Sequence, residues 1–323
     1  MKKLLSIFPI IFFVTLLGLT FTLKPHLVKA DDSDTPVVTL GGSLTSSQRQ
    51  STLDTLIAPL NGASYKTITV TGNDLVKYLN PSGASFTSHS GVWSSALIQK
   101  TASGSGINVH ILSYNGHNNI TTITANQYKN AALTAGITDA DIYVTSPVPI
   151  DGSGALAGVY AAYAKNGDKL DQDQINAAQN EMETLSKITQ ANDEKSGYSD
   201  AQLNNAVAGA KSEMAKQGQN ISNSQIRDIV NNQIKINHLG DTITNNQKQQ
   251  IINILIQIKD SGALKDKSFG QQANKVSNQI QAGAKNIFSK LNTPDTRNWF
   301  QQLIDSITSW FKGVFGSTAI FKL

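Results

Sequence analysis

The chain has 323 residues, with 27 Lys plus Arg against 23 Asp plus Glu, and it contains no cysteine. That composition excludes disulfides, thiolate metal sites, a Cys nucleophile and a lipidated N-terminal Cys. Lys2, Lys3, Lys24 and Lys29 all precede residue 31 and no acid does, so the rest of the chain balances at 23 against 23 and gives no support to nucleic-acid binding by counterion release.

Residues 1–30 have the pattern of a signal peptide. Lys2 and Lys3 form a basic start, Leu4 to Leu23 is an uncharged apolar run, and Val28-Lys29-Ala30 places small residues at the −3 and −1 positions of a cleavage site. Cleavage after Ala30 is expected, leaving 31–35 as a short tail. The competing reading is a retained anchor, because an apolar run of about 20 residues spans a bilayer. Pro9 and the polar stretch KPHLVKADD favour cleavage. The sequence pI near 9.0 is then largely a property of the leader.

Residues 36–167 are predicted to form an α/β domain. Short β-branched runs at 37–40, 67–71, 107–112 and 141–145 alternate with helix-like segments at about 46–58, 73–79, 92–100 and 125–135. About four strands with covering helices follow from that alternation.

Beyond Asp168 the strand signal ends, and 168–262 is predicted to be an all-α bundle. Five helix starts repeat one pattern: LTSSQ, ITANQ, YSDAQ, ISNSQ and ITNNQ. Thr45, Thr124, Ser199, Ser222 or Thr244 caps the helix, and Gln48, Gln127, Gln202, Gln225 or Gln247 reaches back, which is the capping box. The run from Ile251 to Ile258 predicts the central helix of the bundle. The abundant Asn and Gln are assigned to solvated helix faces rather than to a prion-like tract.

Residues 263–293 are read as an extended helix or linker with a thin apolar stripe. After Thr293-Pro294, the segment 294–323 predicts an amphipathic helix whose apolar face carries Trp299, Phe300, Leu303, Ile304, Ile307, Trp310, Phe311, Val314 and Phe315. That face suits a membrane surface or the groove of an envelope partner. Folding back onto the chain's own helices is the competing reading, and the polar face offers only Arg297 and Lys312 to anionic lipid.

The stretch TSPVPIDGSGALAGVYAAYA, residues 145–164, is a strand end, a glycine loop and a helix. Gly152, Gly154 and Gly158 have the spacing G-x-G-x-x-x-G, not that of a dinucleotide fingerprint, and no Lys-Ser or Lys-Thr makes it a Walker loop. Ser153 is expected to cap the helix, and Ala155, Ala157, Gly158, Ala161 and Ala162 to let it pack closely on the sheet. No cofactor is implied. His89, His110, His117 and His238 form no metal motif, and no Ser stands in a recognised nucleophile motif. Asp139 with Asp141 and Asp171 with Asp173 are assigned to turns and caps rather than to a carboxylate pair for glycoside chemistry. No catalytic residue is assigned.

The segments VVTLGGSLTSSQ, GVWSSALIQKTASGSGINVHI and ITANQYKNAALTAGITDADIYVTSPVPIDGSGALAGVYAAY resemble, in this order, the motifs of domain-of-unknown-function family 1002. IRDIVNNQIKINHLGDTITNNQKQQIINILI resembles that family's helical portion. The resemblance covers about residues 36–262. It implies export by a Gram-positive bacterium and a role in the cell envelope, with no established reaction or ligand.

The reading is therefore a secreted or surface-associated, non-catalytic envelope protein. The alternative is an extracellular enzyme acting on wall polymer, with Ser94, Ser95, Gly152, Ser153 and Gly154 as ligand-binding residues around a cleft at the strand ends. No metal site and no nucleic-acid partner are expected, and the oligomeric state is not legible.

Overall fold

The computed structural model describes residues 34–289. The leader, the Ala30 cleavage site and the aromatic face from Trp299 to Phe315 lie outside the described residues.

Alternating pieces build the first part in the order β1 (Val37–Gly41), α1 (Ser46–Ile57), β2 (Lys66–Val70), α2 (Gly72–Leu79), β3 (Ser95–Lys100), β4 (Ile107–Ile111), α3 (Ala125–Thr134), β5 (Ala140–Thr145) and α4 (Ser153–Lys165). The five strands form one sheet in the order β2-β1-β3-β5-β4. β1 pairs parallel with β2, and β4 with β5, while β3 runs antiparallel between the two pairs. The expected helix at 92–100 is therefore a strand. Ser94 to Ile98 are buried on both faces of the sheet, so no alternation marks them, and a short unbroken apolar run reads equally as buried helix or central strand.

Val38, Leu40 and Leu97 point to the sheet's outer face and pack with Leu56 and Leu60. Val37, Val70, Ala96, Ile98, Val109, Ile142 and Val144 belong to the larger cluster on the inner face. On that inner face α4 lies across β1 and β3. Its approach is close because Gly158 faces Thr39, where a Cβ would meet the threonine hydroxyl and lie 3.1 Å from its Cβ.

The second part is helical: α5 (Gln172–Gln190), α6 (Asp200–Gln217), α7 (Asn223–Ile236), α8 (Asn245–Asp260), α9 (Phe269–Gly283) and α10 (Lys285–Phe288). Apolar packing continues from the sheet's inner face through α3 and α4 to these helices in one cluster reaching Ile280. The central helix is α6 rather than α8, since every residue from Ala201 to Ser212 is buried, and it packs against α3, α7 and α9. Its Ala, Gly and Asn residues are small enough to admit neighbours on all sides. By contrast α8 keeps Asn253, Gln257 and Asp260 exposed.

The repeated helix starts form as the pattern requires at Thr45, Thr124, Ser222 and Thr244, with both reciprocal bonds present. At Ser199 only half the box forms. The hydroxyl accepts from Gln202 N at 3.2 Å and donates to Gln202 Oε1 at 2.9 Å, while Gln202 Nε2 donates to Asn237 O at 2.8 Å and ties α6 to the end of α7.

Candidate functional site

The structure gathers Ser94, Ser95 and the 152–154 loop at one edge of the sheet, where β1 and β5 end and β3 begins. In this arrangement much of the helix start is occupied by the chain's own groups. Gly152 precedes α4 with φ of 107°, and the buried Tyr128 hydroxyl donates to its carbonyl at 2.6 Å. The cap expected at Ser153 is displaced by one residue, because Ser153 is itself the first helical residue. Asp151 takes over part of that role, its Oδ1 accepting from Ser153 N at 3.1 Å and from Ser153 Oγ at 3.0 Å.

The remaining groups are spent in the same way. Ala155 N donates to Ser94 Oγ at 2.9 Å, and Gly41 N donates to Ser95 Oγ at 3.0 Å. Gly154 packs so closely that a Cβ there would lie 2.8 Å from Ser94 Oγ and from Val92 Cγ1. Thus the Asp151 carboxylate occupies the electrostatic position a bound anion would take at a helix N-terminus. The hydroxyls bolt β1, β3 and α4 together.

His89, His110, His117 and His238 are all exposed. His110 on β4 stacks on Tyr143 of β5, with ring centroids 4.8 Å apart and planes 17° apart. Asp139 accepts from Gly106 N at 2.8 Å and Gln272 Nε2 at 3.0 Å, while Asp141 accepts from Asn108 at 2.8 Å. Asp171 caps α5 through the amides of Asp173 and Gln174. Among the described residues no group of three or more His, Asp or Glu is placed to hold a metal ion. No helix among them is long and apolar enough to cross a membrane.

What the sequence did not announce is a buried polar centre between α3, α5 and α6. Lys211 Nζ lies 2.6 Å from Glu181 Oε1, both side chains wholly buried. The same ammonium donates to Asn130 O at 2.8 Å, and Thr134 Oγ1 donates to Glu181 Oε2 at 2.6 Å. Burial pushes the Lys211 ammonium below its ordinary range, and Glu181 opposes that shift. Asn130 donates in turn to Asn204, and Asn204 to Asp200 Oδ1 at 2.8 Å. Burial raises the Asp200 carboxyl above its ordinary range against hydrogen bonds from Asn126, Thr124, Thr189 and Asn204. Gln127, Asn130, Asn204, Asn205, Gln233 and Asn237 are therefore interior residues, not the solvated faces expected of them. They remain inside because they bond to one another across helices.

The chain belongs to the family described as "Protein of unknown function (DUF1002)", whose model matches residues 40–276. It is 30% identical over 287 residues to "Uncharacterized protein YpuA" of Bacillus subtilis (strain 168), covering 88% of this chain and 89% of the relative. No solved structure matches.

Proposed function

We propose that this chain is a secreted or surface-associated, non-catalytic protein of the cell envelope that docks on a membrane or an envelope partner through residues 294–323. One observation carries the non-catalytic reading. The hydroxyls and amides at the mouth of α4, where an open α/β sheet offers its ligand site, are bonded to each other and hold the fold. An acyl- or glycosyl-transfer site needs such groups directed at a substrate instead. The export reading is supported by the basic start, the apolar run and the Val28-Lys29-Ala30 junction.

Zymography on purified cell walls tests the first part. No clearing is expected, and clearing by the wild type but not by Ser153→Ala would establish the enzyme instead. Deletion of 294–323 tests the docking part. The truncated chain is expected to move from the membrane or wall fraction to the medium, and an unchanged distribution would remove the docking role.

A further inference from the structure

A cleft of about 570 Å³ opens at the sheet edge opposite the α4 mouth, where β3 ends, β5 begins and α4 gives way to the 166–171 connection. Its size lies within the about 300–1,000 Å³ of small-molecule sites. At its centre Lys100 Nζ pairs with Asp168, 3.0 Å from Oδ1 and 2.8 Å from Oδ2, with the two side chains 25% and 34% exposed. A half-exposed pair of this kind contributes little to stability. Lys100 also lies 5.8 Å from the ring centroid of Tyr163. Tyr163 is only 6% exposed and forms part of the wall, and its buried hydroxyl has no hydrogen-bond partner.

We infer that this cleft binds a neutral, hydroxyl-rich ligand of one or two sugar rings. The charge arrangement selects it. Three carboxylates, Asp34, Asp139 and Asp168, and two ammoniums, Lys100 and Lys169, line the cleft, so its charge nearly balances; Lys100 pairs with Asp168, and the Asp139 carboxylate is turned to Gly106 N and Gln272. An anion would meet all three carboxylates, and a bare cation would have to compete with the groups already bonded to Asp139 and Asp168. A hydroxyl both donates and accepts, whereas an ammonium only donates and a carboxylate only accepts. A Lys–Asp pair side by side therefore holds two neighbouring hydroxyls, one on each partner, without burying an unmatched charge. Thr138 and exposed Ser103 add further hydroxyls to the wall, and Leu170 adds an apolar surface for the C–H face of a ring. The inference does not depend on where the chain works, because it is read on purified protein.

The test is titration of the purified chain with the disaccharide of N-acetylglucosamine, followed by amide NMR, with maltose, glycerol, free glucosamine and glucose 6-phosphate as comparison arms. Saturable shifts confined to residues 100–103, 136–139 and 163–170 are expected with at least one neutral disaccharide. The double change Lys100→Met with Asp168→Asn should weaken binding at least about tenfold. Should that variant unfold, Ser103→Ala, at an exposed position, must weaken binding instead. No saturable shift with either disaccharide overturns the inference. So do equal shifts with glycerol, which mark a solvent-filled cleft only, and tighter binding of the amine or the phosphate. Undiminished binding by the folded double variant, or by Ser103→Ala where that substitutes for it, overturns it as well.

Discussion

The two halves of this molecule build their interiors from different chemistry. Between the sheet and α1 the contacts are Val38, Leu40, Leu56, Leu60 and Leu97, joined by the buried Thr52, whose hydroxyl has no polar partner. Between α3, α5 and α6 the interior holds Lys211, Glu181, Thr134, Asn130 and Asn204. A hydrocarbon core asks its members only for volume and shape. A polar interior asks each member for a particular partner, because an orphaned group keeps its full desolvation penalty. The helical half should therefore be the more brittle to single changes and the more forgiving of paired ones.

Lys211→Met gives that contrast its hardest test. It strands the Glu181 carboxylate in a dry interior, and loss of one partner of a buried pair costs about 3–5 kcal/mol. Lys211→Met combined with Glu181→Leu removes both charges, and such replacements are often neutral or stabilising by about 1–4 kcal/mol. Thr134 and the Asn130 carbonyl would still lose their partners, so recovery short of full gain is expected. Urea unfolding of the three proteins measures it. If the double variant is as unstable as the single one, the pair is not what organises this interior.

The next contrast concerns close packing. Gly158→Ala drives a Cβ into the hydroxyl and Cβ of Thr39 on a central strand, and overpacking of that kind costs about 1–3 kcal/mol. That outweighs the gain of about 1 kcal/mol in helix propensity. Gly209 on α6 faces the end of the buried Gln233 side chain instead, whose amide donates to Glu213 at 2.6 Å, so Gly209→Ala displaces a bonded polar group and should cost at least as much. A smaller loss in urea unfolding would mean that the polar interior yields more readily than the sheet.

Smaller again are the helix caps. Thr45→Ala removes the cap of the exposed box that starts α1, with an expected loss of about 1 kcal/mol. Thr124→Ala should cost roughly twice that, because its Oγ1 also donates to the half-buried Asp200 carboxylate at 3.0 Å. Matched thermal unfolding of the two variants reads the difference.

The same contrast explains what could be seen in the sequence. The β-branched runs at 37–40 and 141–145 and the five repeated helix starts are local signals, and local signals survive in a single chain. β3 was hidden because Ser94 to Ile98 are buried on both faces, which erases the period of two. The centre of the bundle was hidden for the opposite reason. Asn204, Asn205 and Lys211 read as surface, although they interrupt a run of Ala, Val and Gly that has no apolar stripe to define an outside. Their partners Asn130, Glu181 and Asn237 lie 30 to 81 residues away. Spacing alone carries no trace of such pairings. At the α4 mouth Ser94 lies beside the glycine loop, and no spacing in the sequence shows that its Oγ accepts from Ala155 N.

The smallest effect at neutral pH separates the half-buried Tyr198 from the fully buried Tyr160. The Tyr198 hydroxyl is 2.9 Å from Thr189 Oγ1, so Tyr198→Phe should cost about 1 kcal/mol. The Tyr160 hydroxyl, in α4 against the sheet, has no partner. Its removal should be neutral or slightly stabilising. Burial first and then the Glu181 charge push the Tyr160 phenol above its ordinary range, and this fixes a sign at high pH. A folded-state pKa above the unfolded one means that the folded protein keeps its proton while the unfolded chain ionises. The associated stability is full below pH about 10 and falls, by up to about 1.4 kcal/mol per pH unit for each such phenol, as pH rises beyond it. Tyr160→Phe should therefore shallow the loss of stability between about pH 10 and pH 11 while leaving the value at pH 7 almost unchanged. Urea unfolding across that range distinguishes the outcomes. A Tyr160→Phe protein as destabilised at pH 7 as Tyr198→Phe would show that the Tyr160 hydroxyl, too, has a polar partner.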